Sequence, residues 1–134
     1  MKYLKRYEDY KNSLSSLLEA RVRDSSDTFV LSGTSSKFCI TFELAWKVMK
    51  DILIENYGLA DFISGSPRDV LKRAFKIGLI DSDIWLEMLR CRNNLIHDYD
   101  LSLIKESFDK IVGEYSDSFV LLQDKINSLE DRDI

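Results

Sequence analysis

The segment RNNLIHDY at residues 92–99 brings together residue types that act on phosphates and ribose hydroxyls. It contains the single histidine of the chain, His97, five residues after Arg92 and two before Tyr99. An imidazole can exchange a proton with a ribose 2′-hydroxyl near neutral pH, and a guanidinium can stabilise the charge that develops on the phosphorus centre. Arg92 and His97, with Asn93 and Tyr99 beside them, therefore form a candidate site for phosphate or ribose chemistry.

Each of these residues also has a purely structural interpretation. His97 at a helix C-terminus would interact favourably with the helix dipole. Arg92 on a core-facing side would form a structural ion pair, and Tyr99 alone would be a core residue. The residue types and their spacing leave the chemical and the structural interpretations equally open.

The position of Arg92 on its predicted helix is unusual. At about 100° per residue, Arg92 lies in the middle of the apolar side of this helix. A guanidinium there requires a carboxylate, an anionic ligand or water, and Glu43, on the narrow polar edge of the preceding long helix, is a candidate partner. His97 projects about 140° away, so either the chain bends near His97 or two subunits complete one site. The apolar residues around Arg92 are Trp85, Met88, Leu89, Leu95, Ile96 and Tyr99.

Helical spacing of apolar residues predicts the elements that carry this segment. A first helix is predicted over residues 2–21, with one apolar face. Residues 24–36 are rich in Ser, Thr and Asp, which predicts a loop and leaves the start of the second helix open. The second helix is predicted to reach about Tyr57. Because it is apolar on two nearly opposite sides, it is either central in the bundle or shared with another subunit.

Capping residues and glycines delimit a short third helix and a fourth helix. Ser66 and Pro67 are typical of a helix start, and Gly78 of a helix end. Asp81 or Ser82 is predicted to cap the fourth helix, which reaches residue 97. The residues predicted to bury the third helix are Val70, Leu71, Ala74 and Phe75.

A fifth helix is predicted as one continuous element, capped by Asp100 or Ser102. Its apolar residues lie close to a heptad spacing. They are Ile104, Phe108, Ile111, Tyr115, Phe119, Leu122, Ile126 and Leu129. The chain is therefore predicted to be an all-α bundle of about five helices.

Length and composition limit the class of protein. A chain of 134 residues is about the length of one domain, so residues 1–134 are predicted to form a single domain. The net charge of −4 argues against a general nucleic-acid coat, because phosphate contacts need basic residues. Cys39 and Cys91 lie in apolar helical patterns, which favours core residues over a disulfide or metal pair. No apolar run approaches about 18 residues and no signal peptide is evident, so a cytoplasmic protein without a membrane segment is predicted.

The signature around Arg92 resembles that of HEPN domains: Arg92-Asn93, three residues, His97, one residue, Tyr99. A wider pattern resembles the small nucleotidyltransferase substrate-binding proteins, which are partners of minimal nucleotidyltransferases and relatives of HepT toxins. The resemblance covers roughly residues 38 to 125. It is carried in order by FELAWK at 42–47, SPR at 66–68, GLI at 78–80, Trp85, Met88-Leu89 and RNNLIHDY at 92–99.

The resemblance implies an antiparallel bundle that pairs as a homodimer. The expected fold is a four-helix up-and-down core with one short additional helix. The signature residues of both subunits would face a shared cleft, and Arg92 would face the fourth helix of the other copy. A dimer of this kind would reconcile the position of Arg92 with that of His97.

The resemblance also implies a function together with a minimal nucleotidyltransferase encoded nearby. In a toxin–antitoxin pair, His97 and Arg92 would cleave RNA without a metal or another cofactor, with Asn93 and Glu43 supporting them. Tyr99 would accept AMP groups from the nucleotidyltransferase, and their negative charge would silence the toxin. The alternative is a non-catalytic subunit that binds a nucleotide or another substrate for that enzyme. The chain has no Gly-Ser motif followed by paired Asp residues, so it is not itself expected to transfer nucleotides.

Overall fold

The computed structural model of the protein describes residues 3–58, 65–97 and 100–132, with only the backbone of residues 130–132. Within these ranges all regular elements are helical, which confirms the all-α bundle. The α-helices are α1 (Leu4–Leu18), α2 (Thr28–Tyr57), α3 (Pro67–Lys76), α4 (Ile84–His97), α5 (Leu101–Lys110) and α6 (Ser116–Arg132). A 3₁₀ turn, Glu19–Val22, extends α1, and a π-helical segment, Ile111–Tyr115, joins α5 to α6. No helix in the described part of the chain is long and apolar enough to cross a membrane.

The apolar face of α1 is fully buried, as its spacing predicts. It packs along α2 and α6. Two of its phenols cross to α6: the Tyr7 hydroxyl donates to the Gln123 carbonyl at 3.1 Å, and the Tyr10 hydroxyl donates to the Phe119 carbonyl at 2.6 Å. These bonds satisfy hydroxyls that would otherwise be costly to bury. The buried residues of this face are Tyr3, Tyr7, Tyr10, Leu14 and Leu17.

The start of helix α2, which the sequence left open, is Thr28, so the loop occupies only the first residues of the Ser-, Thr- and Asp-rich stretch 24–36. The Asp27 carboxylate accepts a hydrogen bond from the Phe29 backbone N–H at 2.8 Å and caps the helix. Leu31 and Phe38 are almost completely buried in the next turns. Their burial stabilises a helix that the Ser- and Thr-rich sequence disfavours only weakly, because tertiary packing overrides intrinsic propensity.

The central position of α2 explains its two apolar sides. It contacts α1, α3, α4 and α5, and it ends at Gly58, whose φ of +65° favours glycine. On the second apolar side Val48 is completely buried and Leu44 is partly buried. Ile40, on the same side, is 54% exposed. The chain therefore covers most of this side but leaves an exposed isoleucine near its start.

The predicted helix boundaries around α3 and α4 are confirmed. The Ser66 hydroxyl accepts from a backbone N–H three residues later at 3.3 Å, and Gly78 has a φ of +83° after the helix end. The Ser82 hydroxyl accepts from the backbone N–H of the first α4 residue, and Asp100 caps α5. The expected burial of Phe75 is wrong: it is 52% exposed. The inward side of α3 is filled by Val70, Leu71 and Ala74.

The fifth predicted helix is interrupted, which corrects the expectation of one continuous element. Gly113 has a φ of −95° and a ψ of −107° inside the π-helical segment, outside the helical region. The Ser116 hydroxyl donates to the Ile111 carbonyl at 2.6 Å beyond this kink. The apolar seam nevertheless continues through both helices. Its buried members are Ile104, Phe108, Ile111, Tyr115, Phe119, Leu122 and Ile126, and Leu129 is partly buried.

Arg21 stabilises the kink, and Arg21→Ala is expected to lower the free energy of unfolding by about 1–2 kcal/mol. Its Nε donates to the Val112 carbonyl at 2.7 Å, and its Nη2 contacts the Asp117 carboxylate at 2.5 Å. The side chain is 38% exposed, so water replaces part of what is lost. Urea unfolding measures the effect. Arg23→Ala, at an exposed arginine two residues away, is the control and should stay within about 0.5 kcal/mol of the unsubstituted chain.

Candidate functional site

The packing of α2 against α4 brings Glu43 and Arg92 together. The Arg92 Nη2 donates to Oε2 of Glu43, and the Arg92 Nη1 donates to Oδ1 of Asn93 at 2.8 Å. The Arg92 side chain is 16% exposed and the Glu43 side chain 36%. The candidate partner named from the sequence is therefore the carboxylate that this guanidinium contacts.

Glu43 is held by three donors. Besides Arg92, the indole N–H of Trp46 donates to Oε2 at 3.0 Å, and the Lys47 ammonium lies 3.3 Å from Oε1. Burial by itself would raise the pKa of the Glu43 carboxyl, but the bonds from Trp46 and Arg92, the Arg92 charge and Lys47 together lower it below its ordinary value. The group is therefore a carboxylate at neutral pH. Trp46 and Lys47 were not recognised from the sequence, although their spacing of three and four residues from Glu43 places them on one helix face.

The remaining surroundings of Arg92 are apolar. Its guanidinium carbon lies 5.8 Å from the centre of the Phe42 ring. Its Nε is buried without a hydrogen-bond partner among the described residues. The apolar side of α4 is buried as predicted at Trp85, Met88, Leu89 and Leu95, whereas Ile96 is 56% exposed. Arg92 is thus a largely buried cation whose charge is balanced, among the described residues, by the partly exposed carboxylate of Glu43.

His97 is not part of this cluster. It is the last residue of α4, as predicted, and its side chain is exposed. Within the described residues it forms no hydrogen bond or ion pair, and the bonds of Arg92 lead to Glu43 and Asn93 instead. Tyr99, the predicted AMP acceptor, lies outside the described residues. The described part of one chain therefore does not join the imidazole to the guanidinium.

The two cysteines behave as core residues. Both are free and partly buried, and both pack against the core. Burial, together with the neighbouring Cys91, raises the pKa of the Cys39 thiol to about 11, and burial also raises the pKa of Cys91. Both thiols are therefore protonated and weakly nucleophilic at neutral pH. Across the described ranges, no group of three or more His, Cys, Asp or Glu side chains is placed to hold a metal ion.

A groove beside this cluster contains two arginines to which the sequence analysis gave no role. Arg68 of α3 and Arg90 of α4 line it together with Asn93, Leu86 and Leu89, and its volume is about 190 Å³. Arg90 and Asn93 are three residues apart and share one side of α4. Arg68 lies in the SPR segment, which contributed to the family resemblance but indicated no role for this arginine. Only the approach of α3 to α4 shows that these residues meet.

Comparison with known proteins identifies a family for this chain. A family model described as "nucleotidyltransferase substrate binding protein like" matches residues 5–128. No curated protein matches the chain significantly. The match extends from α1 into α6 and includes Glu43, Arg92 and the arginine-lined groove. The chain therefore belongs to the family of nucleotidyltransferase substrate-binding-like proteins.

Proposed function

We propose that this protein is the substrate-binding subunit of a two-component nucleotidyltransferase, whose transfer activity lies in a separate protein encoded nearby. The proposal rests on one observation about Arg92. Its guanidinium donates a hydrogen bond to Glu43, which neutralises its charge, and another to Asn93, which holds it in place. A guanidinium that stabilises the charge of a transition state must be available to the reacting phosphate. A guanidinium that is already paired with a carboxylate is instead suited to shaping a binding surface. Family membership supports the same role.

Calorimetry with ATP and AMP tests this function. The chain, alone or with the nucleotidyltransferase, is expected to bind at least one of the two nucleotides and to leave RNA intact. Arg92→Ala is expected to weaken this binding, because the polar cluster between α2 and α4 loses its central group. If neither nucleotide binds in the presence or absence of the partner, a substrate-binding role is wrong.

A second candidate function is the ribonuclease half of a HEPN-type toxin–antitoxin pair. The exposed imidazole of His97, which has no partner among the described residues, favours it because the group is accessible as an acid or base. In this function Arg92 would contact the scissile phosphate after displacing Glu43, Asn93 would support it, and Tyr99 would accept AMP. The homodimer would complete each site, and Ile96, 56% exposed beside His97, is an apolar contact available to the second copy.

A growth assay and an intact-mass measurement distinguish the toxin function from the substrate-binding function. Expression of the chain alone is expected to arrest growth only if it cleaves RNA, and His97→Ala is expected to abolish the arrest. After co-expression with the nucleotidyltransferase, the intact mass is expected to increase in steps of one AMP that disappear in Tyr99→Phe. Unimpaired growth together with intact RNA in the presence of the purified, AMP-free dimer contradicts a toxin.

A further inference from the structure

Among the described residues, those that line the groove between α3 and α4 present hydrogen-bond donors and no carboxylate. Arg68 is the second residue of α3, and Arg90 and Asn93 lie one turn apart on the same side of α4. The remaining wall is formed by Leu86 and Leu89. Two cationic side chains in one small groove contrast with the net charge of −4 of the chain. Such a local concentration of positive charge attracts anions.

Within the part of the chain that the structure describes, the arginines of the groove form no salt bridges. Arg68 and Arg90 are both exposed, and neither forms a hydrogen bond or salt bridge with another described residue. Arg90 affects one nearby carboxylate, Glu87, whose pKa is lowered by its bond from Tyr115, by Lys110 and by Arg90. That carboxylate contacts Tyr115 at 2.8 Å and Lys110 at 3.4 Å, and it does not line the groove. Both guanidinium groups can therefore bind a ligand.

The Asn93 amide is oriented by the buried cluster. Its Oδ1 accepts a hydrogen bond from Nη1 of Arg92, and Arg92 is held in turn by the Glu43 carboxylate. Because a guanidinium can only donate, the oxygen of the amide must face Arg92. The amide N–H₂ is then left to donate elsewhere, and Asn93 lines the groove. Glu43 and Arg92 thus fix the amide of Asn93, a neutral hydrogen-bond donor, in the groove that Arg68 and Arg90 also line.

We infer that this groove binds a phosphate group of the nucleotide substrate through Arg68, Arg90 and Asn93, and that Arg92 is a positioning residue. The inference rests on the proposed substrate-binding function. Guanidinium and amide donors without an acceptor match an oxyanion, and arginine matches the geometry of phosphate. The volume of about 190 Å³ is below the roughly 300–1,000 Å³ of pockets that enclose whole small molecules. The groove therefore has room for the phosphate group, and the nucleoside lies outside it.

Calorimetry with AMP, adenosine and inorganic phosphate tests the groove on the full chain, in the presence of the nucleotidyltransferase if binding requires it. Arg68→Gln and Arg90→Gln are each expected to weaken AMP binding about tenfold, which corresponds to about 1.4 kcal/mol and to the loss of one charge-assisted hydrogen bond. Asn93→Asp is expected to weaken it further, because a carboxylate would face the phosphate. Adenosine is expected to bind far more weakly than AMP.

The matched control is Arg23→Gln, which removes the same charge from an exposed arginine outside the groove. It is expected to leave AMP affinity unchanged. Salt dependence separates ligands from positioning residues, since only exposed charges that contact the phosphate respond strongly to screening. Arg68→Gln and Arg90→Gln should reduce the salt dependence of AMP binding. Arg92→Met should weaken binding while leaving that dependence as it is.

The outcomes distinguish the inference from the function on which it rests. If AMP binds the unsubstituted chain and the Arg68 and Arg90 variants behave like Arg23→Gln, the groove is not the phosphate site, while the substrate-binding function stands. If Arg92→Met lowers the salt dependence as much as Arg68→Gln, Arg92 contacts phosphate directly and its positioning role is wrong. If no nucleotide binds with or without the nucleotidyltransferase, the proposed function is wrong and the inference with it.

Discussion

Phe119→Ala is expected to lower the free energy of unfolding by about 3–5 kcal/mol. Phe119 is completely buried where α6 meets α1, α2 and α4. Its ring centre lies 6.2 Å from that of Tyr10, 6.0 Å from Phe38 and 5.6 Å from Trp85. Truncation removes the apolar burial and leaves a cavity lined by rigid rings that cannot close around it. Equilibrium unfolding in urea measures the loss.

Leu121→Ala is the matched control for Phe119→Ala. Leu121 lies two residues further along α6 and is 63% exposed, so its side chain contributes little to the core. Its substitution is expected to change the free energy of unfolding by no more than about 0.5 kcal/mol. Equal losses in the two variants would show that α6 does not bury its Phe119 face and that the aromatic cluster is not the centre of the core.

The helical spacing of the sequence predicted this core because burial on an amphipathic helix follows its period. The seam from Ile104 to Ile126 is buried throughout, even though the helix expected to carry it is interrupted. The interruption itself was not predictable, because a single glycine such as Gly113 is tolerated within many helices. The carbonyl of Val112 in this segment accepts a hydrogen bond from Arg21, which comes from a distant part of the chain.

The start of α2 was left open for a related reason. Local composition favours a loop over residues 24–36, whereas the helix there is stabilised by contacts with other elements, at Leu31 for example. Propensity is a local property, and the packing that overrides it is not. Asp27, as a capping residue, was the one local signal that marked the start.

One part of the candidate site was predictable, because the position of a residue around its helix determines what surrounds its side chain. Arg92 on the apolar side of α4 needed a counter-charge, and Glu43 provides it. The groove was not predictable, because Arg68 and Arg90 meet only through the packing of α3 on α4. The projection of His97 about 140° from Arg92 predicted that one straight helix does not join the two side chains. A shared cleft would depend on a second copy of the chain, and helical spacing describes one chain at a time.

Glu43→Ala is expected to lower the free energy of unfolding by about 2–3 kcal/mol, whereas Arg92→Met is expected to change it by less than about 1 kcal/mol. The asymmetry follows from exposure. Without Glu43, the guanidinium of Arg92 stays in its place at 16% exposure. Within the described ranges its Nε has no partner and Asn93 is the acceptor that remains. Without Arg92, the carboxylate is 36% exposed and keeps its bonds from Trp46 and Lys47. Urea unfolding of the two variants gives the comparison.

The double variant Glu43→Ala/Arg92→Met determines whether the pair acts as a unit. Once the buried cation is gone, the loss of Glu43 no longer leaves an uncompensated charge, so the double variant should be more stable than Glu43→Ala alone. Additive losses would mean that Glu43 and Arg92 stabilise the bundle independently. In that case Glu43 would not fix Arg92, and Arg92 would not orient the Asn93 amide. Of the three proposed hydrogen-bond donors of the groove, Arg68 and Arg90 would remain.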